Sequence, residues 1–101
     1  MAALIKALRD PAPEVRLAAI KALNLVIWRA DLALTELQHC LQDESPAVRE
    51  WAIKTLGGLG PRAAAALPEL ERIAAGPDQP LRKNAAEAVR QIGGARAQPP
   101  Q

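Results

Sequence analysis

Apolar residues recur along this chain at spacings of three and four, and the whole set recurs at an offset of 33 residues. Leu4, Ala7 and Leu8 are matched by Leu37, Cys40 and Leu41, and then by Leu70, Ile73 and Ala74. Residues three and four apart share one face of a helix, so each trio predicts an amphipathic helix. A second set follows each trio: Val15, Ala19 and Leu23, then Val48, Ala52 and Leu56, then Leu81, Ala85 and Val89. Val26, Leu59 and Ile92 close the three units. A fixed period of helix, turn and helix is the mark of stacked repeats. The pattern predicts an all-α chain, an α-solenoid of about three stacked helix-turn-helix repeats with six helices. The repeat domain covers residues 1–94, with units of about 1–27, 28–60 and 61–94.

The punctuation between the apolar sets places the boundaries. Asp10-Pro11-Ala12-Pro13 ends a first helix of about Ala2 to Arg9, because proline has no N–H and restricts the residue before it. Pro13 then sits in the first turn of a helix that reaches about Val26. Ser45 is a good N-cap, with Pro46 at the first helical position of a helix of about 46–57. The glycines of Gly57-Gly58-Leu59-Gly60 and of Gly93-Gly94 predict helix stops. Pro68 predicts a bend in a fifth helix from Pro61 to Ala75, unless Arg62 to Ala66 forms a separate turn. A sixth helix covers about Pro80 to Ile92, and residues 95–101 are expected to be a flexible C-terminal tail. The first helix lacks an N-cap and starts partway through a unit, as in a fragment of a longer array or a terminal stub.

Composition sharpens this reading. The chain has no Phe, no Tyr and two Trp, so its core is built from Ala, Leu, Ile and Val. Ala and Leu have high helix propensity, and small Ala side chains let helices pack closely. With 13 basic and 11 acidic residues the net charge is +2, weak support for a polyanionic partner. A single cysteine cannot form an internal disulfide. No apolar run approaches the roughly 20 residues that span a bilayer, and the N-terminus lacks the features of a secretory signal. A cytoplasmic location is expected.

The string Leu-x-Asp-x-x-Pro-x-Val-Arg-x-x-Ala-x-x-x-Leu is complete at Leu41, Asp43, Pro46, Val48, Arg49, Ala52 and Leu56. It is complete again at Leu8, Asp10, Pro13, Val15, Arg16, Ala19 and Leu23. It resembles the HEAT repeat, in the short bacterial form also called the phycobilin-lyase-type HEAT-like repeat. The resemblance covers residues 4–93; the third unit departs from it, with Gly76 where the aspartate would stand. It implies a right-handed stack whose second helices line an inner, concave surface. It also implies a structural ladder of hydrogen bonds through Asp10, Arg16, Asp43, Arg49 and Arg82. Arginine suits that role because its planar fork can serve two units at once.

Candidate chemistry is sparse. His39-Cys40 is the one pair suggestive of a metal or a nucleophile, yet a metal needs three or four ligands. Adjacent residues diverge on a helix, placing Cys40 with Leu37 and Leu41 in the core and His39 at the surface. The glycine runs follow helices rather than strands, unlike a phosphate loop. No catalytic residue, metal or cofactor is assigned, and a non-enzymatic role is expected.

Interaction residues stand out where the units differ. Trp51 occupies a position held by Ala18 and Asn84 in its sibling units, at the edge of the buried arc, where it either fills a local gap between units or offers an aromatic anchor on the inner face. Trp28 falls at a helix junction, in the slot of Pro61, and Leu17 falls about 200° from Val15, away from the core. Lys21, Glu50, Lys54, Lys83 and Glu87 share the outward row and are mixed in sign. A nucleic-acid groove would favour a single-sign basic stripe. These residues are the candidate contacts of a protein–protein interaction scaffold that binds through its concave face or open ends. Alternatives are a nucleic-acid-binding HEAT-like module, relying on Arg49, Lys54, Arg82, Lys83 and Arg90, and a small phycobilin lyase-like subunit. Leu4, Ile5 and Leu8 are thinly covered by so short a first helix, so a second copy or upstream repeats would cover them.

Overall fold

The structure, a computed structural model, describes residues 2–77 and 79–97, with the side chains at 27, 28, 31, 79 and 94–97 left aside. Among the described residues every regular element is helical. The α-helices are α1 (Ala2–Ala7), α2 (Pro13–Leu25), α3 (Leu34–Cys40), α4 (Pro46–Leu59), α5 (Leu67–Ala74) and α6 (Gln79–Ala97). Two 3-10 segments, Ile27–Ala33 and Gly60–Ala66, lead into α3 and α5 at equivalent places in their units. Each short first helix packs on its longer second helix, and α4 lies between α2 and α6. The architecture is a small all-α stack of helix pairs.

Helices start where proline allows. Pro13 and Pro46 occupy the first turns of α2 and α4, where a missing N–H costs nothing. Pro68 likewise falls in the first turn of α5, because Gly60–Ala66 is a separate 3-10 segment. The alternative to a bent fifth helix therefore holds. Gly60 caps α4 with φ +64° and ψ −143°, a conformation in which a side chain would be strained.

The stop after α4 falls at Gly60 rather than at Gly57 or Gly58, and the stop at Gly93-Gly94 is corrected. Helix α4 runs through Gly57 and Gly58 to Leu59, and α6 runs through Gly93 and Gly94 to Ala97. Gly57 is a point of close approach. A Cβ there would lie 3.1 Å from the Ala88 Cβ and 3.2 Å from its Cα, so the missing side chain lets α6 lie against α4. Interface burial outweighs the low helix propensity of glycine, about 1 kcal/mol. Residues 98–101 of the expected tail lie outside the described residues.

The core runs through all three units. Ile20, Leu23, Leu37, Val48, Ile53, Leu56, Leu70 and Ile92 are fully buried, each contributing on the order of 1.5–3 kcal/mol of apolar transfer. Helix α4 has the widest buried arc, reaching Ile53, Thr55 and Gly57, because it has a neighbour on each side. Val15, the counterpart of buried Val48, is 38% exposed; among the described residues no helix pair packs on the outer side of its unit. Leu17 is a correction: it packs half-buried against the core rather than turning away. Contact of α2 with α4 as well as α1 widens the arc that α2 buries. Leu8 is also buried, while Leu4 and Ile5 are half-buried, so the first helix covers more than its length suggests.

Candidate functional site

The three turns share one backbone. The N–H groups of Asp10, Asp43 and Gly76 donate to the carbonyls of Ala7, Cys40 and Ile73 at 3.2, 3.2 and 3.0 Å. In the first two turns the aspartate Oδ1 then accepts an N–H two residues on, from Ala12 at 2.9 Å and from Ser45 at 2.9 Å. This folds the chain back just before the proline that opens the next helix. Ser45 Oγ also accepts the Val48 N–H, at a long 3.5 Å.

An arginine one turn into the helix clasps the turn from the other side. Arg16 Nη1 donates to the carbonyls of Asp10 and Pro11 at 2.7 and 3.1 Å, and Arg49 Nη1 donates to that of Asp43 at 2.6 Å. The other edge of Arg16 reaches the next unit. Its Nε donates to Asp43 Oδ2 at 2.7 Å and its Nη2 to Oδ1 at 2.9 Å, a bidentate pair. Burial pushes the Asp43 carboxyl up, but the Arg16 hydrogen bonds, the Ser45 N–H and the charges of Arg16 and Arg49 more than compensate. The carboxyl is held below its ordinary value. The same pairing raises the Arg16 guanidinium, chiefly through the hydrogen bonds it donates to Asp43. Arg82, at the equivalent place in the third unit, makes no hydrogen bond or ion pair among the described residues.

First helices are tied at the same offset. Arg9 Nη2 donates to Glu36 Oε2 at 2.8 Å, and Gln42 Nε2 donates to Glu69 Oε2 at 3.1 Å. These are equivalent pairs, 27 residues apart, as Arg16 and Asp43 are. Gln38 Nε2 adds a bond to the Ala65 carbonyl at 3.1 Å.

On the second helices, Trp51 is half-buried with a lysine on each flank. Lys21 Nζ of α2 lies 5.6 Å from its ring centroid, and Lys54 Nζ of α4 lies 5.1 Å away. Contacts of this kind contribute on the order of 0.5–1 kcal/mol at exposed sites. Lys54 also lies 3.6 Å from Glu50, which accepts the Asn84 side-chain amide at 3.4 Å. Lys21, Glu50, Trp51, Lys54 and Asn84 thus bring α2, α4 and α6 to one cluster. Leu17 stands one turn before Lys21, half-buried. Lys83 and Glu87 are exposed on α6, and Glu87 pairs with Arg90 rather than joining the cluster. The side chain of Trp28 lies outside the described residues.

Cys40 is buried, and burial pushes its thiol up to about 11, so it stays neutral near pH 7. His39 beside it is exposed. Among the described residues no three His, Cys, Asp or Glu side chains converge as metal ligands would. Leu25 and Leu32, 85% and 57% exposed, were not singled out from the repeat pattern. Leu25 lies about 280° from Val15, well outside the buried arc, so the signal was present on the helical wheel. An open pocket of about 380 Å³ lies between Leu8, Arg9, Glu36 and His39. Another, of about 330 Å³, lies where the second unit meets the third.

The family model for HEAT repeats matches residues 1–90. No curated protein sequence matches the chain. The family match spans all three units, and the paired helices with aspartate and arginine at their turns lie within it. This chain belongs to the HEAT-repeat family.

Proposed function

We propose that this chain is a protein–protein interaction scaffold whose second-helix face, centred on Trp51, receives a protein partner. HEAT repeats generally mediate protein–protein interaction and are generally non-catalytic. The observation that carries the assignment to this face is the half-buried tryptophan with two lysines over its ring. Trp51 has Lys21 Nζ and Lys54 Nζ at 5.6 and 5.1 Å from its ring centroid, with Glu50 alongside. Aromatic side chains within a mixed polar rim are typical anchors of protein interfaces. Its siblings Ala18 and Asn84 show that the repeat itself does not require a large ring there.

A nucleic-acid partner is less well supported. Lys54 and Arg90 sit beside Glu50 and Glu87. Basic groups so neutralised make a poor phosphate track. The lyase-like reading rests on the repeat resemblance alone, a weak warrant for activity.

Affinity capture with the wild type, Trp51→Ala and Lys54→Glu tests the proposal, with circular dichroism to verify that the variants stay helical. Loss of the same captured protein in both variants is the expected result. Retention of every partner by both folded variants would remove the Trp51 face from consideration. A salt-sensitive shift of DNA or RNA by the wild type would favour the nucleic-acid reading instead.

A further inference from the structure

The rung that joins the first and second units is half-built between the second and third. Arg16 uses Nη1 on its own turn and spends Nε and Nη2 on the Asp43 carboxylate. Arg49 repeats the first half, with Nη1 on the Asp43 carbonyl at 2.6 Å. The position 27 residues on is Gly76, so Nε and Nη2 of Arg49 meet no acceptor among the described residues. The backbone at Gly76 keeps the turn, donating to Ile73 as Asp43 donates to Cys40. What differs is the missing carboxylate.

The space it leaves is a pocket. The open cavity of about 330 Å³ between these units is lined by Arg49 and Arg72 on its polar side and by Gly76. Leu41, Ile73, Pro77 and Leu81 supply an apolar lining. Arg72 is partly neutralised by Glu69 at 2.7 Å, which leaves Arg49 as the directed donor. A cavity at the lower end of ligand-site sizes holds one or two side chains rather than a cofactor. A guanidinium edge with two parallel N–H groups matches a carboxylate, as Arg16 shows within the same chain.

We infer that this pocket is a recognition site for an acidic segment of a partner protein, whose Asp or Glu carboxylate caps Arg49 while an adjacent aliphatic side chain fills the apolar lining. The partner completes in trans the rung that Asp43 completes in cis. The site lies at the turn edge of the stack, apart from the Trp51 cluster. It rests on the proposal that the chain binds protein, but not on the Trp51 face.

The test uses the whole chain, labelled with 15N, and three probes: a blocked Leu-Asp-Leu peptide, the same peptide with Asn for Asp, and isobutyrate. Saturable shifts of the Gly76 and Leu81 amides and of Arg49 Nε–H with the Asp peptide are expected. The Asn peptide should bind about tenfold more weakly or worse, the scale of a lost charge-assisted pair. Arg49→Gln should lose the binding. Gly76→Asp should also lose it while raising the melting temperature, because the chain then fills its own rung. The backbone tolerates that change: a Cβ at Gly76 would meet only the Ile73 and Arg72 carbonyls, at 3.4 and 3.5 Å. Trp51→Ala should bind the Asp peptide as the wild type does, which separates this site from the surface proposed above. Equal binding of the Asn peptide, or undiminished binding by folded Arg49→Gln or Gly76→Asp, overturns the inference. Isobutyrate binding as tightly as the Asp peptide would make this a small-acid pocket and overturn it too.

Discussion

Arg16 and Asp43 meet edge to edge across two repeat units, the Nε and Nη2 of one on the two carboxylate oxygens of the other at 2.7 and 2.9 Å. Asp43 simultaneously accepts the Ser45 N–H, so one carboxylate fixes its own turn and the position of the preceding unit. Its carboxyl is held below the ordinary value in the folded chain. The stability it contributes is therefore complete above the unfolded value, about pH 3.9, and is lost as pH falls through the lower folded value. Urea midpoints measured from pH 7 down to pH 2 should show Asp43→Asn less stable than the wild type at neutral pH. The gap should close in acid as the wild-type carboxyl takes up its proton. A gap that stays constant across that range would mean the charge of Asp43 contributes nothing.

Gly76→Asp supplies the acceptor that Arg49 lacks and replaces a glycine with a less flexible residue. Thermal unfolding should show a gain of about 1–2 kcal/mol. In an Arg49→Gln background most of that gain should vanish, since the two changes act on one pair.

Neighbouring glycines should respond in opposite directions. Gly58 is exposed within α4, and Gly58→Ala should stabilise by about 0.5–1 kcal/mol through helix propensity. A Cβ at Gly57 would press on Ala88 at 3.1 and 3.2 Å and meet the Gln91 side chain. Gln91 can swing aside; the α6 backbone cannot. Gly57→Val should lose about 1–3 kcal/mol by overpacking the α4–α6 contact. Denaturation of the two variants side by side provides the check.

Gly60→Ala should cost about 1–3 kcal/mol, because its positive φ with extended ψ is nearly exclusive to glycine. No atom lies within 4 Å of a Cβ placed there, so the loss would come from backbone strain and not from a clash. Calorimetry should therefore find Gly60→Ala and Gly60→Ser equally impaired.

Cys40 should be silent toward a thiol reagent in the native state. It is 3% exposed and its thiol is pushed up to about 11, so accessible thiolate is scarce near pH 8. Labelling by a disulfide reagent should speed up with urea in step with unfolding. Fast labelling without denaturant would show that α3 opens on its own.

The period of 33 made the architecture legible, because buried positions and turn residues recur together. Val48, Ala52 and Leu56 are buried, and Ser45 caps α4, where the spacing placed them. Glycine was harder to read. A glycine that ends a helix and one that admits a neighbour look the same in one dimension, and only the partner helix tells Gly60 from Gly57. Leu17 misled for a related reason: a wheel drawn for one helix pair omits the second neighbour that α4 provides. Trp51 was visible as an exception to the repeat, but the lysines on its two flanks come from different helices, and no local pattern joins Lys21 to it. Gly76 departs from the repeat in the sequence itself. Its consequence for Arg49 lies in three dimensions, where the Arg16 fork reaches the equivalent place one unit earlier.

The constant offset between units also governs how the chain can assemble. Cross-unit side-chain bonds among the described residues include ones 27, 31 and 34 residues apart, from Arg16 and Asp43 to Asn24 and Thr55 and to Glu50 and Asn84. Each closes a loop of similar, modest length, so the entropy of closure is paid in equal instalments and never by bringing distant ends together. Such a chain has low contact order and can nucleate at any unit, then zip outward. Between the second and third units, which lack the carboxylate rung, that zipper depends on the close α4–α6 contact at Gly57.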